Sequence, residues 1–183
     1  REMFRLAEAA DVPFFSGSAM RFCEEVVDFC KLRGGPIGRV HGAVSFGPAW
    51  RAEGNPGLFH YGIHPVEVLF AVMGPGCQSV TTHHLDDVDL VVGTWHDGRQ
   101  GIIRGGRTGG TAYGFTAWCD HAVIQKNIST RFAYRNLCQH IVDTLGGNQP
   151  PPVTPDDALQ VVGFIEAALQ SENQGGHAVA LPS

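Results

Sequence analysis

Apolar residues recur at helical spacing in the first part of the chain, with short breaks between the repeats. Residues 3–10 carry apolar side chains three and four positions apart, which predicts a helix that begins almost at once. The apolar pair at 14–15 predicts a short buried strand. Helical spacing returns in residues 21–32 and predicts a second helix, which the glycines that follow would end.

Strand-like patterns dominate the middle of the chain. Alternation over 38–46 predicts a first strand, and four later runs are rich in β-branched and aromatic residues. The pair Asp97 and Gly98 is typical of a tight hairpin, because glycine accepts a positive φ. The glycine-rich stretch 105–110 is interpreted as another hairpin loop, and consecutive hairpins predict an antiparallel sheet. The four runs cover residues 79–84, 89–95, 100–107 and 112–118.

Three further helices are predicted around these strands. One begins close to Pro65, which is tolerated in the first turn of a helix, and runs to Met73. Another covers 132–145, and the last begins at the cap residue Thr154 and ends near Ser171. The predicted fold is therefore α+β, a two-layer α/β arrangement with an open, mostly antiparallel sheet and helices packed on one face.

Composition and charge fit a globular protein with one complete domain and an appendage. The 183 residues are 43% hydrophobic and 17% charged, and the formal net charge is −5. This balance supplies no basic face for nucleic acid, and no apolar run approaches the roughly 20 residues that span a bilayer. Neither a nucleic acid nor a membrane is therefore expected as a partner. Five cysteines without a CxxC pair indicate reduced thiols and a cytoplasmic location.

The segment 58–70 contains the candidate chemistry, because it sets His60, His64 and Glu67 among apolar residues. Two imidazoles beside a carboxylate can transfer protons or bind a metal. In the metal interpretation the three side chains hold an ion that activates water for hydrolysis. Both histidines would otherwise be hydrogen-bonded structural residues. Pro65 argues against the continuous helix that the metal set would need.

Five segments carry a resemblance to a known family: VPFFSGSAMRF, GGPIGRV, YGIHPVEVLFAVMG, VVGTWHDGRQGIIRG and PPVTPDDALQVVGFIEAALQSENQGG. In their order and spacing they resemble the Gfo/Idh/MocA oxidoreductases, which have an N-terminal Rossmann domain and a C-terminal α/β domain with an open, largely antiparallel sheet. The resemblance implies that residues 1–20 are the last helix and strand of the Rossmann domain. Residues 21–183 would form the C-terminal substrate-binding and oligomerisation domain.

The resemblance also implies an enzyme that moves hydride between NAD or NADP and a hydroxyl or carbonyl carbon of a sugar, cyclitol or related compound. His64 occupies the histidine position of the family's DxxxHxxD-like segment, where it would transfer a proton. His60 stands where many members have aspartate, and Glu67 stands at the later acid. The family's EKP-like lysine and its glycine-rich cofactor loop do not occur in this sequence. We therefore expect a fragment that does not bind NAD(P) well on its own.

These observations predict roles for five residues. His64 and His60 are the candidate catalytic residues, and no metal is expected beside them. Tyr61 and Glu67 would orient His64 or contact a polyol or sugar substrate, and Arg21 would reach an anionic or polyol group or form a structural surface ion. The sheet is expected to form a homodimer or higher homo-oligomer, since a broad apolar face usually marks an interface. A non-catalytic binding and assembly module is the alternative, besides the metal-dependent hydrolase.

Overall fold

The computed structural model describes residues 1–182, which form one mixed sheet with helices packed against it. The helices are α1 (Glu2–Ala9), α2 (Glu24–Leu32), α3 (Ile63–Met73), α4 (Ala133–Leu145), α5 (Pro155–Asn173) and a short 3₁₀ helix (Ala19–Phe22). The strands are β1 (Val40–Pro48), β2 (Cys77–Leu85), β3 (Val88–Trp95), β4 (Gln100–Gly106), β5 (Tyr113–Cys119), β6 (Val123–Ile128) and β7 (Val179–Ala180). No helix among the described residues has both the length and the apolar composition that crossing a bilayer requires.

The sheet is open and mostly antiparallel, which confirms the predicted fold class, and its strand order is β6-β5-β1-β4-β3-β2-β7. β1 is parallel to β4, and the remaining neighbours are antiparallel. The predicted hairpin between β4 and β5 is wrong, because β1 lies between these two strands. The glycine-rich stretch 105–110 therefore begins a crossover past β1. Local alternation could not show this, since β1 pairs with strands that come much later in the sequence.

α3 is the central helix and is covered on all sides. Every residue of 65–73 is buried, and Glu67 is the one polar side chain among them. A helix that is apolar all round has no face suited to water and belongs in a protein interior. α3 accordingly packs on β1 and β4 and also contacts α2, α5 and the 3₁₀ helix. This position fixes the N-terminus of α3 against the edge of the core.

The start of α3 depends on a close approach of two backbone segments. The helix begins at Ile63 and ends at Met73, with Pro65 in its first turn, so the predicted helix is confirmed. Gly62 precedes it, and a Cβ at this position would lie 2.8 Å from the backbone Cα of Leu58. Only glycine allows the turn before α3 to fold this tightly.

The two faces of the sheet differ in their cover. Val91, Ile103 and Phe115 point towards the helices and are fully buried. Phe29 of α2 packs edge-on against Phe115, with 5.2 Å between the ring centroids. The opposite side, which we call the open face, has partly or fully exposed apolar side chains. Its apolar residues include Leu90, Val92, Ile102 and Val123.

The segment before the 3₁₀ helix does not form the strand predicted at 14–15. Residues 12–18 have neither helical nor strand structure. A strand needs a neighbour for its backbone N–H and C=O groups, and no strand among residues 1–182 pairs with this segment. Phe14 packs instead against Phe4 of α1, with 4.9 Å between the ring centroids.

The predicted domain boundary between residues 20 and 21 falls inside the 3₁₀ helix. Ala19 and Met20 of this helix belong to the buried core. The helix predicted over 21–32 is interrupted at Cys23, where the backbone is extended, and it continues as α2. The residues just before the boundary thus pack with the domain that follows them.

Candidate active site around His64

His64 is the second residue of α3 and is half-buried. Its Nδ1 lies 2.7 Å from Oγ of Ser18. The same hydroxyl oxygen accepts a hydrogen bond from the backbone N–H of Met20 at 3.1 Å. Within residues 1–182, Nε2 of His64 has no hydrogen-bond partner, so this nitrogen is available to exchange a proton with a ligand.

Glu67 and Arg21 form a buried ion pair beside His64. Glu67 is 2% exposed, and Nε of Arg21 donates a charge-assisted hydrogen bond to its Oε2. The backbone N–H of Ser18 donates to Oε1 of Glu67 at 3.2 Å. Ser18 therefore contacts Glu67 through its backbone and His64 through its side chain. The ion pair holds Ser18 in place, and Ser18 orients the imidazole.

Burial affects both titratable groups of this arrangement. It lowers the pKa of His64 below its ordinary value, and the nearby charge of His60 lowers that pKa further. The imidazole is consequently neutral at neutral pH and able to accept a proton. Burial raises the pKa of Glu67, whereas the guanidinium of Arg21 and the N–H of Ser18 oppose that rise. The contact with Arg21 is what compensates the burial of this carboxyl group.

Aromatic rings pack edge-on around His64 and form a continuous group. The ring of Tyr61 and the ring of Tyr113 each lie 5.9 Å from that of His64, measured between centroids. Trp50 packs on Tyr61 at 4.6 Å, and His60 packs on the same ring at 4.9 Å. We call these five residues the aromatic cluster. Tyr61 is its central ring, since it joins Trp50 and His60 to His64.

The ring of Tyr113 reaches this cluster because the residue of β1 that it packs against is Gly47, which has no side chain. A Cβ on Gly47 would lie 2.5 Å from Cδ1 of Tyr113, so a side chain there would displace the ring. Burial raises the pKa of Tyr113 to about 12, and the charges of Tyr61 and Tyr134 act in the same direction. The phenol therefore keeps its proton and remains a hydrogen-bond donor.

The structure divides the five predicted site residues into two groups. His60, Tyr61 and His64 lie together in the aromatic cluster. Glu67 is buried and each of its carboxylate oxygens accepts a hydrogen bond inside the protein, so its position favours the orienting role. Arg21 is not a surface ion, since its side chain is 13% exposed and it is paired with Glu67.

Three residues of this site were not identified from the sequence. Ser18 has a recognisable local role as the N-cap of the 3₁₀ helix, but its contact with His64 spans 46 residues. Trp50 lies in a loop rich in glycine and proline, and Tyr113 lies in an ordinary strand pattern. No short-range signal marks either aromatic residue, because the sheet topology is what brings them to His64.

The metal interpretation of His60, His64 and Glu67 receives no support from their positions. Their ligand atoms do not converge, because Glu67 is turned towards Arg21. Within the described residues, the potential ligand atoms that all lie within 4.8 Å of one another belong to another cluster. That cluster consists of His84, Asp89 and Glu172.

Two arginines occupy this second cluster. Nη1 of Arg107 donates to Asp89 at 2.5 Å, and Nη2 of Arg51 donates to both carboxylate oxygens of Glu172 at 2.8 and 3.0 Å. Nδ1 of His84 lies 2.5 Å from Oδ1 of Asp89. Two guanidinium charges already balance the two carboxylates, so the cluster is an ion-pair network that ties the loop of Arg51 to the sheet and to α5.

Comparison with known proteins gives structural matches. No family model matches the sequence, and no curated protein matches it. GenD2 from gentamicin A biosynthesis, solved with NAD, is one match. The matched region covers 100% of this chain and 68% of the GenD2 chain, with 19% identity and a TM-score of 0.85. A probable dehydrogenase from Thermotoga maritima is a second match, which covers 98% of this chain and 68% of the dehydrogenase chain, with 18% identity and a TM-score of 0.84.

A third match has a bound cyclitol. This protein is scyllo-inositol dehydrogenase from Lactobacillus casei, solved with NAD(H) and scyllo-inositol. The match covers 97% of this chain and 67% of the dehydrogenase chain, with 18% identity and a TM-score of 0.79. At such identities the likeness concerns the fold, and it confirms the resemblance drawn from the sequence at that level. The chain has the fold of the C-terminal domain of Gfo/Idh/MocA-type inositol and sugar dehydrogenases.

Proposed function

We propose that this chain is the substrate-binding part of an NAD(P)-dependent oxidoreductase that acts on a hydroxyl or carbonyl group of a sugar, cyclitol or related compound. The observation that carries the proposal is the state of His64. Its imidazole has a lowered pKa, its Nδ1 is held by Ser18, and its Nε2 is free among the described residues. The similar structures solved with NAD and with scyllo-inositol support the class of cofactor and substrate.

His64 supplies the proton transfer of the proposed reaction. Oxidation of a secondary alcohol removes a proton from the hydroxyl oxygen and a hydride from the carbon, and the nicotinamide ring supplies the hydride acceptor when it is bound. Nε2 of His64 accepts the proton, while its Nδ1–H donates to Oγ of Ser18. In the reducing direction, the imidazolium returns the proton to the carbonyl oxygen.

The dinucleotide needs a separate domain in this proposal. The sequence contains no glycine-rich phosphate loop that follows a strand and opens a helix. Met3 and Leu6 of α1 are 65% and 53% exposed, and α1 buries none of its residues. An apolar helix face left uncovered supports the assignment of residues 1–20 to an NAD(P)-binding Rossmann domain, with 21–183 as the C-terminal domain.

The open face supports association of the protein with a second copy. Leu90 and Val123 are exposed there, and Val92 and Ile102 between them are only partly covered. A broad sheet face with apolar side chains usually packs against another surface, so we propose a homodimer or higher homo-oligomer formed through this face. The five cysteines are free, which supports a reducing, cytoplasmic environment.

The test uses the full-length protein expressed from its complete reading frame. Reduction of NAD⁺ or NADP⁺ is followed with scyllo-inositol, myo-inositol and D-glucose as substrates. We expect turnover with at least one of them, and we expect His64→Ala to lower kcat by about 100-fold or more, since it removes the proton acceptor. His121→Ala is the matched control, because His121 is exposed and follows the end of β5 remote from Tyr113.

Two results contradict the proposal. One is the absence of nucleotide reduction by a folded full-length protein with every substrate of a wider polyol and sugar panel. The other is a reading frame without a nucleotide-binding domain, which would favour the non-catalytic binding and assembly module. Unchanged turnover in His64→Ala would remove His64 from the mechanism.

A further inference from the structure

We propose that Trp50 and Tyr61 form an aromatic corner that binds the apolar face of the sugar or cyclitol ring, and that Trp50 is a substrate-positioning residue. This inference rests on the proposed function, because it assigns a contact surface to the substrate of His64. No role for Trp50 follows from the proton transfer itself.

The geometry of the two rings supports such a corner. The Trp50 and Tyr61 ring centroids are 4.6 Å apart and their planes meet at 63°. Tyr61 in turn packs edge-on against His64 at 86°. Tyr61 therefore lies between Trp50 and His64, and its ring contacts both of them. A ring-shaped substrate that reaches His64 with one oxygen can place its carbon skeleton against these two walls.

Trp50 combines an exposed side chain with an anchored backbone. The Trp50 residue is 38% exposed, so part of its ring is accessible to a ligand. Ala49 on one side is fully buried, and its N–H donates to the carbonyl oxygen of Gly106 at 2.8 Å. Arg51 on the other side is held by the bidentate contact with Glu172.

These anchors give the exposed ring a fixed position before a ligand arrives. A side chain that is already ordered loses less conformational entropy on binding, so more of its contact energy appears as affinity. The ion-pair network of His84, Asp89 and Glu172 therefore helps to position Trp50, because it holds the loop that carries this residue.

The chemistry of the ligand class fits an aromatic surface. A cyclohexane or pyranose ring with equatorial hydroxyl groups directs its axial C–H bonds away from both faces, so each face is apolar although the rim is polar. Aromatic rings offer a large, rigid apolar area to such a face, and their ring faces carry the partial negative charge that C–H groups prefer. The hydroxyl rim remains free to meet polar groups such as Nε2 of His64.

The experiment measures scyllo-inositol, myo-inositol and D-glucose kinetics of the full-length protein carrying Trp50→Ala, Trp50→Phe or Trp118→Phe. We expect Trp50→Ala to raise KM about tenfold and to change kcat less than about threefold, because the contact positions the ring without moving the proton. Trp50→Phe keeps an aromatic face and should keep KM within about threefold. Trp118 is an exposed tryptophan at the end of β5 remote from Tyr113, beside Val123 on the open face, and the conservative change Trp118→Phe keeps an apolar ring there and should leave both constants unchanged.

Tryptophan fluorescence separates this inference from the proposed function, because it needs no turnover. The same three polyols are titrated into each variant. At least one should change the emission of the wild type and of Trp118→Phe, and that change should be much smaller in Trp50→Phe, which lacks the indole at the site. If this fluorescence pattern were seen without any nucleotide reduction, the proposed oxidoreductase function would be refuted and the proposed binding corner would be retained. An unchanged KM in Trp50→Ala, or a response in Trp50→Phe as large as that of the wild type, would overturn the corner alone.

Discussion

Oγ of Ser18 lies 2.7 Å from Nδ1 of His64, and the backbone N–H of the same serine donates to the buried carboxyl group of Glu67. One residue of the segment before α2 therefore ties the imidazole at the start of α3 to the ion pair inside the core. The orientation of His64 depends on this serine, since its second nitrogen has no protein partner among the described residues.

Ser18→Ala should lower kcat about tenfold with less than a threefold change in KM, because the imidazole loses the partner that orients it. The variant also loses the N-cap of the 3₁₀ helix, so the free energy of unfolding should fall by about 1 kcal/mol. Ser18→Thr keeps a hydroxyl group and should recover most of the kcat. Steady-state kinetics and urea unfolding check both parts, and an unchanged kcat in Ser18→Ala would refute the orienting role.

The pH profile of polyol oxidation should show the lowered pKa of His64. A general base must be unprotonated, so kcat/KM falls once the pH drops below its pKa, and burial places that fall below the ordinary value of 6.5. His60→Asp removes the imidazole whose Coulombic interaction lowers the pKa of His64 and adds an anion that stabilises the imidazolium, which raises that pKa. The acidic limb should therefore move to higher pH in His60→Asp and by a smaller step in His60→Gln. A limb that stays in place in both variants would show that His60 does not act on His64.

Arg21→Ala should strongly destabilise the fold, because it leaves the carboxyl group of Glu67 buried without its cation. A broken buried pair of this kind typically lowers the free energy of unfolding by about 3 kcal/mol or more. Glu67→Gln should lower it less, since the amide oxygen can still accept the N–H of Ser18. Arg5→Ala is the matched control, because Arg5 pairs with Glu2 at the surface and its loss should not be measurable. Urea unfolding that ranks Arg21→Ala with Arg5→Ala would contradict this account of the pair.

Association through the open face predicts that a charge placed on it separates the copies. Leu90→Arg should shift the molar mass measured by light scattering from the oligomer to the monomer, because a buried unpaired guanidinium is unfavourable. Leu145→Arg places the same charge at an exposed leucine of α4 and should leave the mass unchanged. A wild-type protein that is monomeric at all concentrations tested would contradict the proposed assembly.

The sequence predicts most of the elements but not their arrangement around His64. The apolar spacing and Pro65 locate α3 and place His64 at its start, since those signals depend on neighbours within one helical turn. The position of β1 between β4 and β5 has no local signal, because strand pairing joins residues that are far apart in the chain. The contact of Ser18 and the approach of Tyr113 depend on that pairing and on the packing of α3.

The strand predicted at 14–15 shows that a local sequence signal can be present without the predicted element. Its apolar run is real, but an apolar run becomes a strand only where another strand accepts its hydrogen bonds, and the described residues supply none. The roles of Glu67 and Arg21 show a related limit. Residue type and spacing left open whether these side chains meet a substrate or act as structural groups, and only the fold shows that burial pairs them with each other.

The most direct test of the central claim is a single-turnover measurement with a polyol substrate deuterated at its ring carbons. In the full-length protein, deuteride should appear on the reduced nucleotide with a primary isotope effect. His64→Ala should slow that transfer by about 100-fold or more while the protein still binds the polyol by tryptophan fluorescence. Deuteride transfer at the wild-type rate in His64→Ala would contradict the account, because proton transfer by this histidine is the step on which the proposed function depends.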